Sequence, residues 1–285
     1  MATFALVLAT AIWGWSFVPV KEAMGHTSPL WFLALRFAIA SILFLPLSPR
    51  RARDWGQGFL LGLFLFAGYA FQTWGLVYTT AQKSGLITGL SVVLVPPIAH
   101  IFGEKTPLHT WVGMGIAAAG VAILALGGGG PLGPAGTGDF LTVLGAISYA
   151  LYLVFQGRWV GEGKWHRLLL PQFVAVGALS AVGAAATGSV LLPVTGVVWR
   201  TAASTAVLAS GVSFWLLLWA QRRLPTAYAA LVLALEPAFA ALFGWWLLGE
   251  TLAGLQILGA CLILAGILWP NLRGYSGKAT ADAVE

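Results

Sequence analysis

The sequence predicts an all-α integral membrane protein in which ten transmembrane helices form two inverted-topology five-helix repeats. Composition is the first reason, because 59% of the 285 residues are hydrophobic and only 8% are charged, whereas soluble domains carry about 25% charged residues. Apolar runs of about 18 residues or more recur along the chain, and each can cross the hydrocarbon core as a helix. The third reason is that one long segment occurs twice.

The duplicated segment runs from Thr80–Gly120 and returns as Thr226–Gly266, at a constant offset of 146 positions. Each copy consists of an apolar run, a Gly-Glu pair and a second apolar run, and the Gly-Glu pairs fall in register. An offset of 136 aligns the first spans of the two halves and lays Trp13 on Tyr149. A period this long is not that of a solenoid, so the chain is predicted to consist of two related halves.

Taken in order, the apolar runs predict ten membrane-spanning helices. They are Thr3–Ala23, Leu30–Leu47, Gly58–Tyr78, Ala81–Phe102, Leu108–Leu126, Phe140–Val160, Leu168–Leu192, Thr201–Gln221, Pro225–Leu248 and Leu252–Trp269. Residues 1–127 form the first predicted repeat and 139–270 the second. Between them, 128–138 is rich in Gly and Pro, which predicts a flexible external linker. Residues 271–285 are predicted to form a cytoplasmic tail.

Basic residues are distributed unequally between the two predicted faces. One face carries Arg50, Arg51, Arg53, Lys105, Arg158, Lys164, Arg167, Arg222, Arg223, Arg273 and Lys278. The other face carries Lys21, Lys83 and Arg200. Because cytoplasmic loops hold the excess of Lys and Arg, both termini are predicted to be cytoplasmic. Five spans per half is an odd number, so the halves insert in opposite directions, an architecture typical of secondary transporters.

Several segments carry a resemblance to a known family. They are Ala11–Ala23 (AIWGWSFVPVKEA), Leu35–Leu47 (LRFAIASILFLPL), Gly89–Lys105 (GLSVVLVPPIAHIFGEK) and Ala234–Glu250 (ALEPAFAALFGWWLLGE), together with the glycine-bearing span after each Gly-Glu pair. Over nearly its whole length the chain resembles the EamA-type ten-helix exporters of the drug/metabolite transporter superfamily. The resemblance implies two inverted halves and export of amino acids or related small metabolites across a bacterial inner membrane.

Two charged side chains fall well inside predicted spans, away from the span ends. Glu236 lies about eleven residues into the ninth span, about 16 Å deep at 1.5 Å per residue, where a carboxylate is costly and suggests function. It would bind a substrate amine or carry a coupling proton, or else merely fix a kink at Pro237. Arg36 would bind a substrate carboxylate as a planar fork. The alternatives for Arg36 are pairing with Glu22 and extension towards the membrane surface.

Prolines are predicted to interrupt two spans. Pro96 and Pro97 lie in the fourth span and Pro237 in the ninth. A proline inside a helix lacks the N–H group and leaves the carbonyl four residues earlier unpaired. Such carbonyls are tolerated in membranes where they line a polar cavity. A purely mechanical kink is the alternative.

Aromatic and polar side chains within the spans are predicted to line a substrate cavity. The candidates are Trp13, Ser16, Gln72, Trp74, Tyr78, Ser91, Tyr149, Tyr152 and Trp215. The 136-position offset pairs Trp13 with Tyr149 and Ser16 with Tyr152, near the expected two-fold axis between the halves. We predict that both pairs line one cavity beside Trp74 and Trp215, where flat or cationic ligands stack on aromatic rings. Packing or lipid-facing aromatics are the alternative.

The sequence offers no catalytic, cofactor or metal site. Residues 136–139 match the GxGD pattern of intramembrane aspartyl proteases, but the other aspartates, Asp54 and Asp282, lie in a loop and in the tail. The single Cys261 gives no support for disulfides or metal clusters. The predicted function is secondary export, with a small-molecule substrate, membrane lipid around the protein, no nucleic acid, and a monomeric or homodimeric state. A multidrug exporter and a non-transporting membrane scaffold are the alternatives.

Overall fold

The computed structural model describes residues 1–79, 81–126, 136–161, 165–249 and 254–272, and every regular element there is helical. The helices are α1 (Ala2–Ala23), α2 (Pro29–Phe44), α3 (Ala52–Tyr78), α4 (Ala81–Thr88), α5 (Leu90–Ile101), α6 (Leu108–Leu126), α7 (Thr137–Val160), α8 (Leu169–Ala186), α9 (Gly196–Thr205), α10 (Ser213–Gln221), α11 (Thr226–Leu233), α12 (Glu236–Leu248) and α13 (Gly254–Leu272). A π-helical segment, Ala206–Val212, joins α9 to α10. Most of the predicted linker and tail lies outside these residues.

Seven helical stretches in the described residues are long and apolar enough to cross a membrane. They correspond to the first three predicted spans and to the sixth to ninth. The fourth, fifth and tenth spans correspond to shorter apolar helices, namely Leu90–Ile101, Leu108–Ile123 and Gly254–Pro270. The all-helical membrane class is therefore found, whereas ten crossings in inverted repeats remain a prediction.

The predicted boundary between the seventh and eighth spans is wrong. The seventh was expected to end at Leu192, but α8 ends at Ala186, because Gly188 adopts a left-handed φ of +63° that stops a helix. The next helix begins at Gly196 rather than Thr201, after Thr195 caps it by accepting a hydrogen bond from the Val198 backbone N–H. The apolar residues before Pro193 thus form a connection that hydropathy does not distinguish from a helix.

Two spans are broken near their middle. The first break, at Gly89, separates α4 from α5, and the second, at Ala234 and Leu235, separates α11 from α12. Pro237 is the second residue of α12, where its missing N–H has no helical partner to lose, so the break lies immediately before the turn that contains Pro237.

The predicted break at Pro96 and Pro97 is misplaced, because α5 continues through both residues. The interruption lies earlier, at Gly89, beside Thr88, whose hydroxyl donates to the Ser84 carbonyl at 2.9 Å. A side chain that bonds back to the preceding turn competes with the helical backbone bonds, and glycine adds further conformational freedom.

The helix bounds follow the same offset as the sequence repeat. A shift of 146 carries Leu90, the first residue of α5, onto Glu236, the first residue of α12. It carries Gly89 onto Leu235, so the two breaks also correspond. The bounds of α6 map onto those of α13 in the same way.

Contacts between helix termini define two ends of the molecule. At one end, which we call the arginine-rich end, Arg167 pairs with Asp54 at 3.5 Å, and Arg158 donates to the Phe102 carbonyl at 2.6 Å. Arg50, Arg51, Arg53, Arg222 and Arg223 lie in the helix termini and connections of the same end. At the other end, which we call the opposite end, Lys21 donates to the carbonyls of Leu76 and Thr79 at 2.6 and 2.8 Å.

Candidate substrate cavity

A cavity lies between the helices beside both helix breaks. It contains about 830 Å³ of empty space, including its opening to solvent. Side chains of α1, α2, α3, α4, α5, α7, α10, α11 and α12 contribute to its wall, together with Gly89 at the first break. The wall therefore combines helices of both sequence halves.

Most of the predicted site residues meet in this cavity. The predicted residues that line it are Trp13, Ser16, Arg36, Gln72, Ser91, Tyr149, Tyr152 and Glu236. Both pairs related by the 136-position offset are among them. Within α1, Ser16 donates to the Trp13 carbonyl at 2.8 Å, so these two residues share one face of the helix.

Trp74, Tyr78 and Trp215 do not line the cavity, contrary to the predicted arrangement. Successive residues of a helix are rotated by about 100°, so Trp74 lies on nearly the opposite face of α3 from Gln72. Trp74 and Tyr78 are 40% and 64% exposed. Trp215, next to Phe214, turns away from the cavity and packs edge-to-face on Trp165, with ring centroids 4.7 Å apart.

Arg36 is a buried cation held by two hydroxyl groups. It is 3% exposed, its Nε donates to Ser210 Oγ at 3.0 Å, and its Nη2 donates to Tyr69 Oη at 3.2 Å. Its guanidinium also lies 4.7 Å from the centroid of the Tyr69 ring. The predicted alternatives for Arg36 are excluded by this geometry, because the side chain neither extends to the surface nor contacts Glu22, which is exposed.

The π-helical segment supplies two of the groups that hold the cavity wall. Ser210, the acceptor for Arg36, belongs to this segment and is fully buried. The carbonyl of Ala209 accepts a hydrogen bond of 2.7 Å from Trp13 Nε1. A π-helical turn shifts the usual backbone pairing and is frequent at functional sites, and here it orients both Arg36 and Trp13.

Glu236 occupies the first position of α12, at the second helix break. The N-terminus of a helix carries a partial positive charge that favours a carboxylate. No described residue donates a hydrogen bond to this carboxylate or forms an ion pair with it. Glu236 therefore contributes a carboxylate to the cavity wall that has no partner within the described part of the protein.

A chain of hydrogen bonds links α7 to α3 and to the first helix break. Tyr149 donates to Gln72 Oε1 at 3.0 Å, and Gln72 Nε2 donates to Thr88 Oγ1 at 2.8 Å. Tyr152, further along α7, donates to Gln172 Oε1 at 2.8 Å. These bonds fix the orientation of both tyrosine rings in the wall.

Several wall residues were missed in the sequence. Tyr69 stands three residues before Gln72, so the helical spacing of α3 would have placed it on the same face. Phe17 and Phe214 also line the cavity but were not among the candidates. Ser210, which is not in the wall itself but holds Arg36 there, was missed because its orientation depends on the π-helical segment, for which the sequence carries no signal.

Polar contacts close the molecule at the arginine-rich side of the cavity. Gln156, fully buried, donates to Gln221, whose own amide donates to the Leu153 carbonyl at 3.3 Å. Closer to that end, Thr226 donates to Glu104 Oε1 at 3.2 Å. Burial raises the pKa of Glu104, and the hydrogen bond from Thr226 and the charge of Arg158 act in the other direction.

The chain matches the EamA-like transporter family over residues 1–126 and 136–272. It belongs to the EamA family. This EamA protein is 33% identical to an uncharacterised transporter of Archaeoglobus fulgidus, over 95% of this chain and 86% of the relative. It is 26% identical to the uncharacterised inner membrane transporter YedA of Escherichia coli, over 96% of this chain and 90% of that relative. It is 25% identical to a probable amino-acid metabolite efflux pump of Salmonella typhimurium, over 98% of this chain and 97% of that relative.

A solved crystal structure has the same fold as this EamA protein, with a TM-score of 0.78 and 19% identity over 95% of this chain and 96% of that chain. The predicted family resemblance is thereby confirmed. The EamA protein is a multi-pass membrane transporter.

Proposed function

We propose that this EamA protein is a secondary transporter that exports small metabolites, with amino acids or related compounds as its substrates, by alternating access. One observation carries the proposal: the cavity lies beside two mid-span helix breaks that correspond under the 146-position offset. In secondary transporters, binding sites are typically formed by discontinuous helices at the interface between repeats.

The proposed topology is two inverted five-helix repeats with both termini in the cytoplasm. The agreement between the helix bounds and the repeat offset supports the duplication. The excess of Arg at one end supports that end as the cytoplasmic one. In this orientation the linker at 128–138 is external.

The described conformation then faces outwards. The cavity lining reaches Val20 and Leu76 near the opposite end, whereas Gln156 and Gln221 close the cytoplasmic side. Alternating access requires these two amides to separate, because the substrate must enter from the cytoplasm for export.

The chemistry of the cavity favours small polar metabolites over purely apolar compounds. Arg36, Glu236 and Gln72 offer charged and amide groups within an aromatic wall. The name of the Salmonella relative, an amino-acid metabolite efflux pump, supports the same substrate class. A second candidate, export of hydrophobic cations, is favoured by the aromatic rings that line the same cavity as the Glu236 carboxylate, since rings of this kind attract cations.

Transport assays with the purified protein in liposomes test this function. Liposomes preloaded with one unlabelled compound are given the labelled form, first for each common amino acid and then for tetraphenylphosphonium as a hydrophobic cation. We expect exchange of at least one amino acid above the level of empty liposomes. Exchange of tetraphenylphosphonium alone would favour the multidrug alternative, and no exchange of any solute would favour the scaffold.

A further inference from the structure

The cavity contains one buried cation without an anionic partner. The two hydrogen bonds of Arg36 go to neutral hydroxyl groups, those of Ser210 and Tyr69. A guanidinium has further N–H donors in a planar fork that matches a carboxylate. No described carboxylate contacts these donors. An unpaired charge at this depth is costly, so the site as described lacks an anion.

The same cavity contains one carboxylate without a cationic partner. Glu236 lines the wall and receives no hydrogen bond or ion pair from the described residues. It lies at the second helix break, whereas Arg36 is anchored on α2 and held towards the π-helical segment. The site as described therefore lacks a cation as well.

The two charges share the cavity but do not neutralise each other by contact. Tyr69 and Tyr149 lie within electrostatic range of both groups. Their rings meet edge-to-face with centroids 5.5 Å apart. Ser210, Tyr69 and the stacking on the Tyr69 ring hold the Arg36 guanidinium in place.

We infer that Arg36 and Glu236 are the two poles of a zwitterion-binding site, in which Arg36 binds the carboxylate and Glu236 the ammonium group of one amino-acid-like ligand. A zwitterion satisfies both charges without changing the net charge of the cavity. A simple cation would leave Arg36 without an anion, and a simple anion would leave Glu236 without a cation. This inference rests on the proposed function and specifies which ends of the substrate the protein recognises.

Aromatic rings complete the recognition. Tyr149 lines the cavity within electrostatic range of Glu236, and its ring electrons add to the attraction for the ligand ammonium. The ligand side chain packs against the apolar wall that Trp13, Phe17 and Phe214 provide. The poles thus set the ligand class, and the wall sets the size of the side chain.

Binding of matched ligand series tests the inference. The common L-amino acids are screened by thermal stabilisation of the purified protein, and the best binder is compared with its decarboxylated amine and its deaminated acid. We expect each analogue to bind the parent protein about tenfold more weakly or worse, the effect of losing one charge-assisted contact.

The variants assign each pole to one residue. In Glu236→Gln, the amino acid should bind no better than the deaminated acid, because the ammonium gives no advantage. In Arg36→Gln, the amino acid should bind no better than the decarboxylated amine, because the carboxylate gives no advantage. Arg36→Lys serves where Arg36→Gln fails to fold, and should weaken the amino acid and leave the amine unchanged. Glu22→Gln and Arg200→Gln, which change exposed charges, should behave as the parent protein.

The outcomes separate this inference from the proposed function. The zwitterion site is overturned if the parent protein binds the amine or the acid as tightly as the amino acid, or if neither variant changes that preference. It is also overturned if amines or acids are the only compounds transported, although transport itself would then stand. If no solute is transported at all, the proposed function fails first.

Discussion

At the residue scale, the aromatic wall is a specific arrangement of side chains from both halves. Trp13 on α1 and Tyr149 on α7 correspond in the repeat, line the same cavity and are each fixed by a hydrogen bond. Trp13 also meets Phe214 edge-to-face, with ring centroids 5.3 Å apart. Such contacts orient the rings towards the ligand space instead of towards lipid.

Removing either ring should weaken ligand binding. We expect Trp13→Ala and Tyr149→Ala each to reduce affinity for the transported solute several-fold, since a lost aromatic contact costs about 1 kcal/mol. The measurement is equilibrium binding of that solute to folded, purified variants. Trp74→Ala is the matched control, because Trp74 lies outside the cavity. Unchanged affinity in both cavity variants would mean that these rings only pack the helices.

The face of the helix on which a residue lies decides whether it lines the cavity, and this explains which cavity residues could be predicted. The repeat offsets pointed to Trp13, Ser16, Tyr149 and Tyr152, because corresponding positions of related halves come close together. Trp74 was selected for depth in its span alone, and depth does not determine the face. A check against the spacing from Gln72 would have rejected it and selected Tyr69 instead, as the helix period is 3.6 residues.

At the element scale, hydropathy predicts the all-helical membrane class and the positions of most helices. It does not predict where a helix is broken or changes to π-helical pairing. The bounds of α6 were predicted to the residue, since an apolar run ends where the lipid ends. The π-helical segment within Gly196–Gln221 was not predicted, because its sequence is apolar and continuous. The break at Gly89 was misplaced because prolines were given more weight than the glycine beside Thr88.

The pairing of α6 with α13 depends on glycines at their contact. A Cβ added at Gly113 would lie 2.5 Å from the Gly266 carbonyl oxygen, and one added at Gly115 meets nothing within 4 Å. We expect Gly113→Ala to destabilise the protein by about 1–3 kcal/mol, the usual cost of overpacking. Gly115→Ala should be neutral or slightly stabilising. Thermal unfolding in detergent measures both, and equal melting temperatures would contradict this packing.

The connection between α5 and α6 should make stability depend on pH. The folded-state pKa of Glu104 is raised, chiefly by burial. The stability from neutral Glu104 is therefore fully present below its unfolded-state pKa and is lost as pH rises through the folded-state pKa.

We expect Glu104→Gln, which keeps an acceptor for Thr226, to melt at a higher temperature than the parent protein above that pH window. The difference should shrink on acidification. Melting curves from acid to neutral pH check this, with Glu22→Gln as the exposed control. A Glu104→Gln variant with the same pH profile as the parent would show that burial of this carboxyl has no effect on stability.

At the scale of the whole molecule, the proposed inverted topology would relate the two halves by a two-fold axis in the membrane plane, an arrangement typical of transporters that work by alternating access. From the distribution of Lys and Arg, we expect a tag after Glu285 to be accessible only from the cytoplasm and a tag within 128–138 only from outside. Impermeant labelling of intact cells and of inverted vesicles measures both. A linker accessible from the cytoplasm alone would remove the basis for two oppositely inserted halves.

If the cavity is the transport site, a label placed in its wall should block transport, and site-directed labelling measures this. Cys261 is the single cysteine of the chain and is exposed, so Cys261→Ser provides a cysteine-free background. Ser16→Cys then introduces one thiol in the cavity wall, and Ser148→Cys introduces one on α7 outside that wall.

The measurement is the rate at which an impermeant cationic methanethiosulfonate modifies Ser16→Cys from outside, with and without the transported solute. We expect modification of Ser16→Cys to abolish transport and the solute to slow the reaction, while Ser148→Cys shows neither effect. Modification of Ser16→Cys that leaves transport intact, or a rate that the solute does not change, would contradict this expectation.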